Sequence, residues 1–259
     1  MGDGSRPGRR HGVGRSAVVT GGAGGLGAPT VERLLADGYA VVVMDRQPSG
    51  ADVAATIVGD VNDDDAVASA ITAATAAGAL SVLVNVAGGS AAGAATVDAQ
   101  GVPHDLGTFE RTLWSNVMGT FNAARLVAAA MASTTPDDDG QRGVIVNTAS
   151  IAGYEGQRGQ VAYAAAKAAI LGMTLPMARD LAPVGIRVCA VAPGPMGTPA
   201  MLRLRERLLE DPAAGVVHPA RMGHPSEFAA LVGDIVANPY LNGENIRLDG
   251  ALRLGVGAQ

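Results

Sequence analysis

An α/β fold built on one doubly wound parallel sheet, in a single domain, is predicted for this chain by two observations. Short β-branched apolar runs alternate with longer Ala- and Leu-rich stretches along its 259 residues, the pattern of repeated strand–helix–strand units. The strand-like runs are apolar throughout rather than alternating, as strands are when helices cover both faces of their sheet. Composition agrees: hydrophobic residues make up 48% and charged residues 17%, and with aromatics at 3% the core is left to Ala, Val, Leu and Ile. A chain this long buries roughly 70–75% of its unfolded surface. It needs no disulfide or metal as a staple, and no metal site is expected.

Residues 1–15 precede the domain. They are rich in Gly and Arg and lack the apolar segment of a secretory signal. Gly2, Gly4, Gly8, Gly12 and Gly14 oppose the amphipathic helix of an import signal, so a flexible tail is expected. The domain then runs over 16–259. Strands are expected at Ser16–Thr20, Ala40–Met44, Thr56–Val58, Ser81–Asn85, Gly143–Thr148, Ile186–Val191 and Asn245–Leu248. Helices are expected at Gly25–Asp37, Asp63–Ala77, Phe109–Ala132, Gln160–Leu181 and Ser226–Val236. The stretch 195–220 breaks this rhythm. Pro195, Gly197 and Pro199 open it, and an amphipathic patch, Met201–Glu210, follows. Ligands of open α/β sheets bind beyond the carboxyl ends of the strands, so this excursion is a candidate lid over substrate.

Net charge is −5, which offers no basic surface for nucleic acid or an anionic membrane. No apolar run approaches the ~18–20 residues that span a bilayer. The single cysteine, Cys189, lies in the apolar run Ile186–Ala192 and reads as a buried thiol. A lone cysteine suits a reducing compartment, and a cytoplasmic location is expected.

The first strand runs straight into Thr20-Gly21-Gly22-Ala23-Gly24-Gly25-Leu26-Gly27. Glycines there let the backbone turn tightly and approach a pyrophosphate, while the next helix offers free N–H groups and the positive end of its dipole. This is the fingerprint of a Rossmann-type dinucleotide site when an acidic residue ends the second strand. Asp45 is that residue. Its carboxylate can accept from both ribose hydroxyls and would repel a 2′-phosphate, which favours NAD over NADP. Arg46 beside it pulls the other way. Pro29 falls in the first helical turn, where its missing N–H is not needed.

Ser150, Tyr163 and Lys167 form a second constellation. Tyr163 and Lys167 are four apart in an Ala-rich helical stretch and so share a face. Ser150 follows the strand Gly143–Thr148 at the carboxyl edge. Oxidising an alcohol by hydride loss needs a base for the hydroxyl proton. A free tyrosine titrates near ~10, and a neighbouring ammonium lowers that value. A serine hydroxyl can hold the substrate oxygen. Lys167 is the only lysine; the other 18 of the 19 basic residues are arginines. A demand for a compact ammonium, which arginine's planar fork cannot meet, accounts for the exception.

From Ser16 to Leu254 the chain resembles the short-chain dehydrogenase/reductase family. The matching elements are Thr20-Gly21-(x)3-Gly25-x-Gly27, Asn85-Val86-Ala87-Gly88, Asn116, Ser150, Tyr163-(x)3-Lys167 and Pro193-Gly194. The resemblance implies that Tyr163 is the general acid/base, that Lys167 holds the nicotinamide ribose and lowers the Tyr163 pKa, that Ser150 orients the substrate oxygen, and that Asn116 supports a water-linked proton relay. Gly21, Gly24, Gly25, Leu26 and Gly27 would cradle the cofactor's phosphates. Asp60 and Val61 would meet its adenine. Asn85, Val86, Ala87 and Gly88 would line its cleft, and Pro193, Met196 and Thr198 would close on its nicotinamide end.

After Gln141 the chain is similar to the type-2 3-hydroxyacyl-CoA dehydrogenases, also described as 17β-hydroxysteroid dehydrogenases. The stretches concerned are Gln141–Ser150, Tyr154–Gln160, Gly172–Val188, Pro239–Asn242 and Ile246–Ala251. This implies Gln160 in the substrate cleft beside Tyr163, an acyl-CoA or steroid-like small-molecule substrate, and a homotetramer. Two departures stand out. Val86 replaces the family's usual second Asn. The Gly/Ala-rich insertion Gly88–Gly107, expected to help hold CoA, has no basic residue over Ala91–Gly107, leaving Arg203, Arg205 and Arg207 as candidates for the CoA phosphates. Three readings are open: a 3-hydroxyacyl-CoA dehydrogenase, a dehydrogenase of steroids or other apolar secondary alcohols, and an NAD-binding scaffold.

Overall fold

Seven parallel strands form one sheet in the order β3-β2-β1-β4-β5-β6-β7 in a computed structural model that describes residues 14–89, 93–205 and 211–256. The strands are β1 Arg15–Thr20, β2 Ala40–Asp45, β3 Ala55–Val58, β4 Ala79–Asn85, β5 Gly143–Thr148, β6 Ile186–Pro193 and β7 Asn245–Leu248. The helices are α1 Gly27–Ala36, α2 Asp64–Ala77, α3 Leu106–Leu113, α4 Gly119–Ala132, α5 Val161–Leu181, α6 Pro199–Arg205 and α7 Pro225–Ala237. All seven expected strands are present. Most of the expected tail, part of the expected lid with Arg207 and the Arg205 side chain, and residues 90–92 of the insertion lie outside what is described.

The central strands are buried on both faces because helices cover both. On one side α1 and α7 bring Val31, Leu34, Phe228, Val232 and Ile235 against the sheet. On the other, α2, α4 and α5 bring Val67, Ala124, Val127, Met131 and Met177. This is the Rossmann-type doubly wound arrangement. Its switch point lies between β1 and β4, where the chain turns away in opposite directions, and a crevice opens at the carboxyl ends.

Two elements differ from expectation. The long helix expected from Phe109 starts at Leu106 and is interrupted by a π-turn over Trp114–Met118. Such a turn is invisible to helical periodicity because it shifts the register by a single residue. Second, α5 with the turn after it, Val161–Val184, is long and apolar enough to cross a membrane by length and composition, contrary to the reading that no run approaches that length. In this fold it packs one face on β6, burying Ala166, Ile170, Thr174 and Ala178.

Candidate active site

The glycine turn after β1 divides its labour. Gly21 has φ +69°, and a Cβ there would come within 2.6 Å of the Ala87 nitrogen, so only glycine lets the β1 and β4 loops touch. A Cβ on Gly27 would collide with the Gly21 carbonyl, so the helix start can lie against the turn. Gly24 and Gly25 face open space. They form a bare backbone surface beside the start of α1, whose N-cap, Leu26, supplies no side-chain cap.

Asp45 ends β2 facing this turn. Its Oδ2 accepts from the Ala23 nitrogen at 3.0 Å and its Oδ1 from the Gln47 nitrogen at 3.1 Å. Asp60 is braced by Asn62, whose backbone and side-chain nitrogens both donate to Oδ1. Val61 is pressed against Gly119, where any Cβ would clash with it. At the switch point, Thr20 Oγ1 donates to Asn85 Oδ1 at 3.2 Å and accepts from the Val86 and Ala87 nitrogens. Asn85 Nδ2 donates onward to Asn147 Oδ1 at 3.0 Å. Thr20, Asn85 and Asn147 are paired across β1, β4 and β5, so one polar row fixes the carboxyl edge under the cleft.

Tyr163 and Lys167 rise from the first two turns of α5 on one face, with Lys167 Nζ 5.6 Å from the centre of the Tyr163 ring. Lys167 is buried and donates to the Thr148 carbonyl at 2.9 Å; burial pushes its pKa down to about 8. Burial raises the Tyr163 phenol, and the Ser150 hydroxyl bonded to it acts in the opposite direction. Lys167 Nζ itself is turned to the Thr148 carbonyl, and the ammonium lies on the same face of α5 as the phenol. Ser150 is held at the end of β5 as the cap of a short turn, accepting from the Ala152 nitrogen at 3.2 Å.

Asn116 lies in the π-turn and is fully buried. Its Nδ2 donates to the Gly89 and Thr112 carbonyls at 2.8 and 2.9 Å, tying the helix to the loop after β4. A Cβ on Gly88 would come within 2.6 Å of Asn116 Oδ1. These elements enclose a cleft of about 800 Å³ running from Asp45, Asp60 and Val61, past Gly21 and Gly24, to Tyr163, Lys167 and Pro193.

The short chain dehydrogenase model matches residues 15–208 of this chain. The chain belongs to that family. It is 48% identical to 3-hydroxyacyl-CoA dehydrogenase type-2 of Homo sapiens over 92% of this chain and 95% of the relative. It is 35% identical to Ipsdienol dehydrogenase of Ips pini over 91% and 96%. The crystal structure of 3-hydroxyacyl-CoA dehydrogenase type-2 from Mycobacterium avium superposes with a TM-score of 0.90 at 45% identity, covering 94% of this chain and 98% of that one. This chain is thus an oxidoreductase of the short-chain dehydrogenase family, close to the type-2 3-hydroxyacyl-CoA dehydrogenases.

The family takes a nicotinamide cofactor, and the residues fit one. The glycine surface at Gly24 and Gly25 is open, and the buried Thr148 Oγ1, on the cleft wall beside Lys167, has no partner among the described residues. Most residues expected at the cofactor line this cleft, among them Gly25, Leu26, Val86, Ala87, Gly88 and Thr198. Three act differently. Gly27 and Asn85 shape the walls from behind. Met196 is buried in the core with Phe228 and Val232, bridged by backbone to Gly223, and does not line the cleft. Gln160 sits just before α5 with its amide turned to Gln157. Sequence reading missed Thr148, Arg111, Thr112 and Ser115 on the cleft wall. The last three fall within about one helical turn, but no chemistry marks them as binding residues until the fold sets α3 and the π-turn over the cleft. Among the described residues no group of three or more His, Cys, Asp or Glu could hold a metal.

Proposed function

We propose that this dehydrogenase uses NAD to interconvert (S)-3-hydroxyacyl-CoA and 3-oxoacyl-CoA. The observation that carries the reading is that Tyr163 and Lys167 line the end of the cleft away from Asp45, with Ser150, which does not itself line it, hydrogen-bonded to Tyr163, in a chain 48% identical to a human enzyme named for that activity. A bound nicotinamide would supply the hydride acceptor for oxidation and the donor for reduction. The chain supplies the rest. The Tyr163 hydroxyl takes the substrate's hydroxyl proton in oxidation and returns it in reduction. Ser150 holds the substrate oxygen beside it. Lys167 would hold the nicotinamide ribose, and Asn116, buried behind the loop after β4, would support proton exchange with water. Asp45 accepts from the adenosine ribose hydroxyls and disfavours a 2′-phosphate.

Arg111 lines the cleft and is exposed, which supplies at its rim a cation that Ala91–Gly107 lacks for the CoA phosphates. The described residues 195–203 and 211–220 would serve as parts of a lid, with Gly197 and Gly223 joined by backbone at its base. Trp114, Met118 and Phe121 leave exposed apolar surface along the α3–α4 rod, and Leu175 does so on α5; this supports self-association as a homotetramer. A cytoplasmic location belongs to the same reading. A second reading, an apolar secondary alcohol such as a steroid, is favoured by the similarity to a relative named for an alcohol rather than a CoA ester.

The test is NADH oxidation with acetoacetyl-CoA and, separately, with a 17-ketosteroid. Turnover of the CoA ester is the expected result. Turnover of the steroid alone discards the CoA reading and keeps the chemistry. Turnover of neither, with NADH still bound, leaves the scaffold reading.

A further inference from the structure

Arg247, on β7 and outside the cleft, holds together two stretches that form the cleft's reactive end. Its Nη1 and Nη2 donate to the two carboxylate oxygens of Glu155 at 2.8 and 3.1 Å. Its Nε donates to Asp249 Oδ2 at 2.7 Å, and Nη2 also reaches the Leu252 carbonyl at 2.9 Å. The guanidinium lies over the Tyr154 ring, 5.0 Å from its centre. Both charged partners are sheltered: the Arg247 side chain is 20% exposed and that of Asp249 7%. Paired with Arg247, the Glu155 carboxyl titrates below its ordinary range, so the pair stays charged at neutral pH.

Tyr154 and Glu155 belong to the segment that joins Ser150 to the helix bearing Tyr163. This segment lies directly on α5. A Cβ on Gly153 would come within 2.8 Å of the Lys167 carbonyl carbon, and one on Gly156 within 2.7 Å of Ala164 Cβ. Asp249 backs the opposite wall. A Cβ on Gly194 would come within 2.9 Å of Asp249 Cβ, and the Gly194 nitrogen donates to the Leu248 carbonyl at 2.9 Å. Gly194 follows Pro193, which lines the cleft, whereas Glu155, Arg247 and Asp249 do not. The Arg247 guanidinium therefore ties the back of the Ser150–Tyr163 wall to the back of the Pro193 wall, and the more exposed Arg253 joins the same two carboxylates less closely, 3.6 Å from Glu155 Oε1 and donating to Asp249 Oδ2 at 3.2 Å.

We propose that Arg247 is a positioning residue for the reaction, setting the Ser150 and Tyr163 hydroxyls against the Pro193 wall through its bidentate hold on Glu155 and its bond to Asp249. The inference rests on the roles given above to Ser150 and Tyr163. A planar fork can hold two carboxylates at once in fixed geometry; an ammonium cannot. A substrate oxygen shared between two hydroxyls tolerates little displacement, since a misplacement of about 1 Å lowers turnover on the order of 10²-fold.

The test compares Arg247→Gln, Arg247→Lys, Glu155→Gln and the Arg247→Gln/Glu155→Gln double variant of the full chain. It reads kcat, KM, NADH affinity and Tm, with whichever ketone the unaltered protein reduces. Arg247→Gln is expected to lower kcat by about 10²-fold while KM and NADH affinity hold. Glu155→Gln should show the same split, Arg247→Lys should recover only part of the loss, and the double variant should lose no more than either single one, because the pair acts as a unit. Unchanged kcat in Arg247→Gln overturns the proposal. So does a parallel fall of kcat, NADH affinity and Tm in both Arg247→Gln and Glu155→Gln, which marks a merely structural pair. Failure of the unaltered protein to reduce acetoacetyl-CoA bears on the substrate reading alone.

Discussion

Lys167 and Tyr163 stand four residues apart on α5, with the ammonium 5.6 Å from the centre of the phenol ring and hydrogen-bonded to Thr148 rather than to the phenol. The Tyr163 hydroxyl therefore faces Ser150, and burial holds its pKa above the ordinary value against that hydrogen bond. Alcohol oxidation needs the phenolate and ketone reduction the phenol. Oxidation should accelerate as pH rises from neutral into the alkaline range, and reduction should slow over the same range. Tyr163→Phe should remove both, by at least the 10²–10⁴-fold typical of one acid/base group, while NADH still binds. Initial rates in both directions across pH, with NADH titrations of the variant, check this; flat profiles or retained turnover count against the assignment.

The Lys167 ammonium bears on stability as well. Its pKa in the folded chain is about 8, below the ordinary 10.5, so folding disfavours the protonated form. That penalty is fully present below pH 8 and disappears as pH rises toward 10.5, the range in which the unfolded chain binds more protons than the folded one. Lys167→Met should stay folded and lose activity. The stability of the unaltered protein relative to this variant should rise between these two pH values. Denaturant melts of both proteins at several pH values measure it, and a pH-independent difference contradicts the burial effect.

Asp45 carries the cofactor preference. Asp45→Ala should weaken NAD binding by about 10- to 100-fold, the value of one or two charged hydrogen bonds. It should weaken NADP binding less or not at all, because a repulsion disappears at the same time. Separate titrations with the two cofactors decide it; an unchanged ratio removes Asp45 from the ribose.

Gly21 and Gly24 should separate folding from binding. Gly21→Ala places a Cβ 2.6 Å from the Ala87 nitrogen at φ +69°, and should destabilise the chain by about 1–3 kcal/mol. A Cβ on Gly24 meets nothing within 4 Å, so Gly24→Ala should leave Tm in place and weaken cofactor binding by obstructing the phosphates. Equal effects of the two on Tm would contradict this division.

The order of the strands in the sheet came only from the tertiary structure, whereas the sequence by itself determined the succession of strands and helices along the chain, the glycine turn, and Asp45, Ser150, Tyr163 and Lys167 as candidates. Each is a local pattern: a period, a turn that only glycine permits, or two residues one helical turn apart. Tertiary structure alone decided what those patterns face. It placed α3 and the π-turn over the cleft and so brought in Arg111, Thr112 and Ser115. It turned Met196 into the buried cluster that also holds Phe228 and Val232, with its backbone bridged to Gly223. It inserted the π-turn that aims Asn116 at Gly89, and it joined Glu155 to Arg247, 92 residues further along the chain. Contacts at such separations depend on how layers of helix and sheet pack, and no local periodicity encodes that packing.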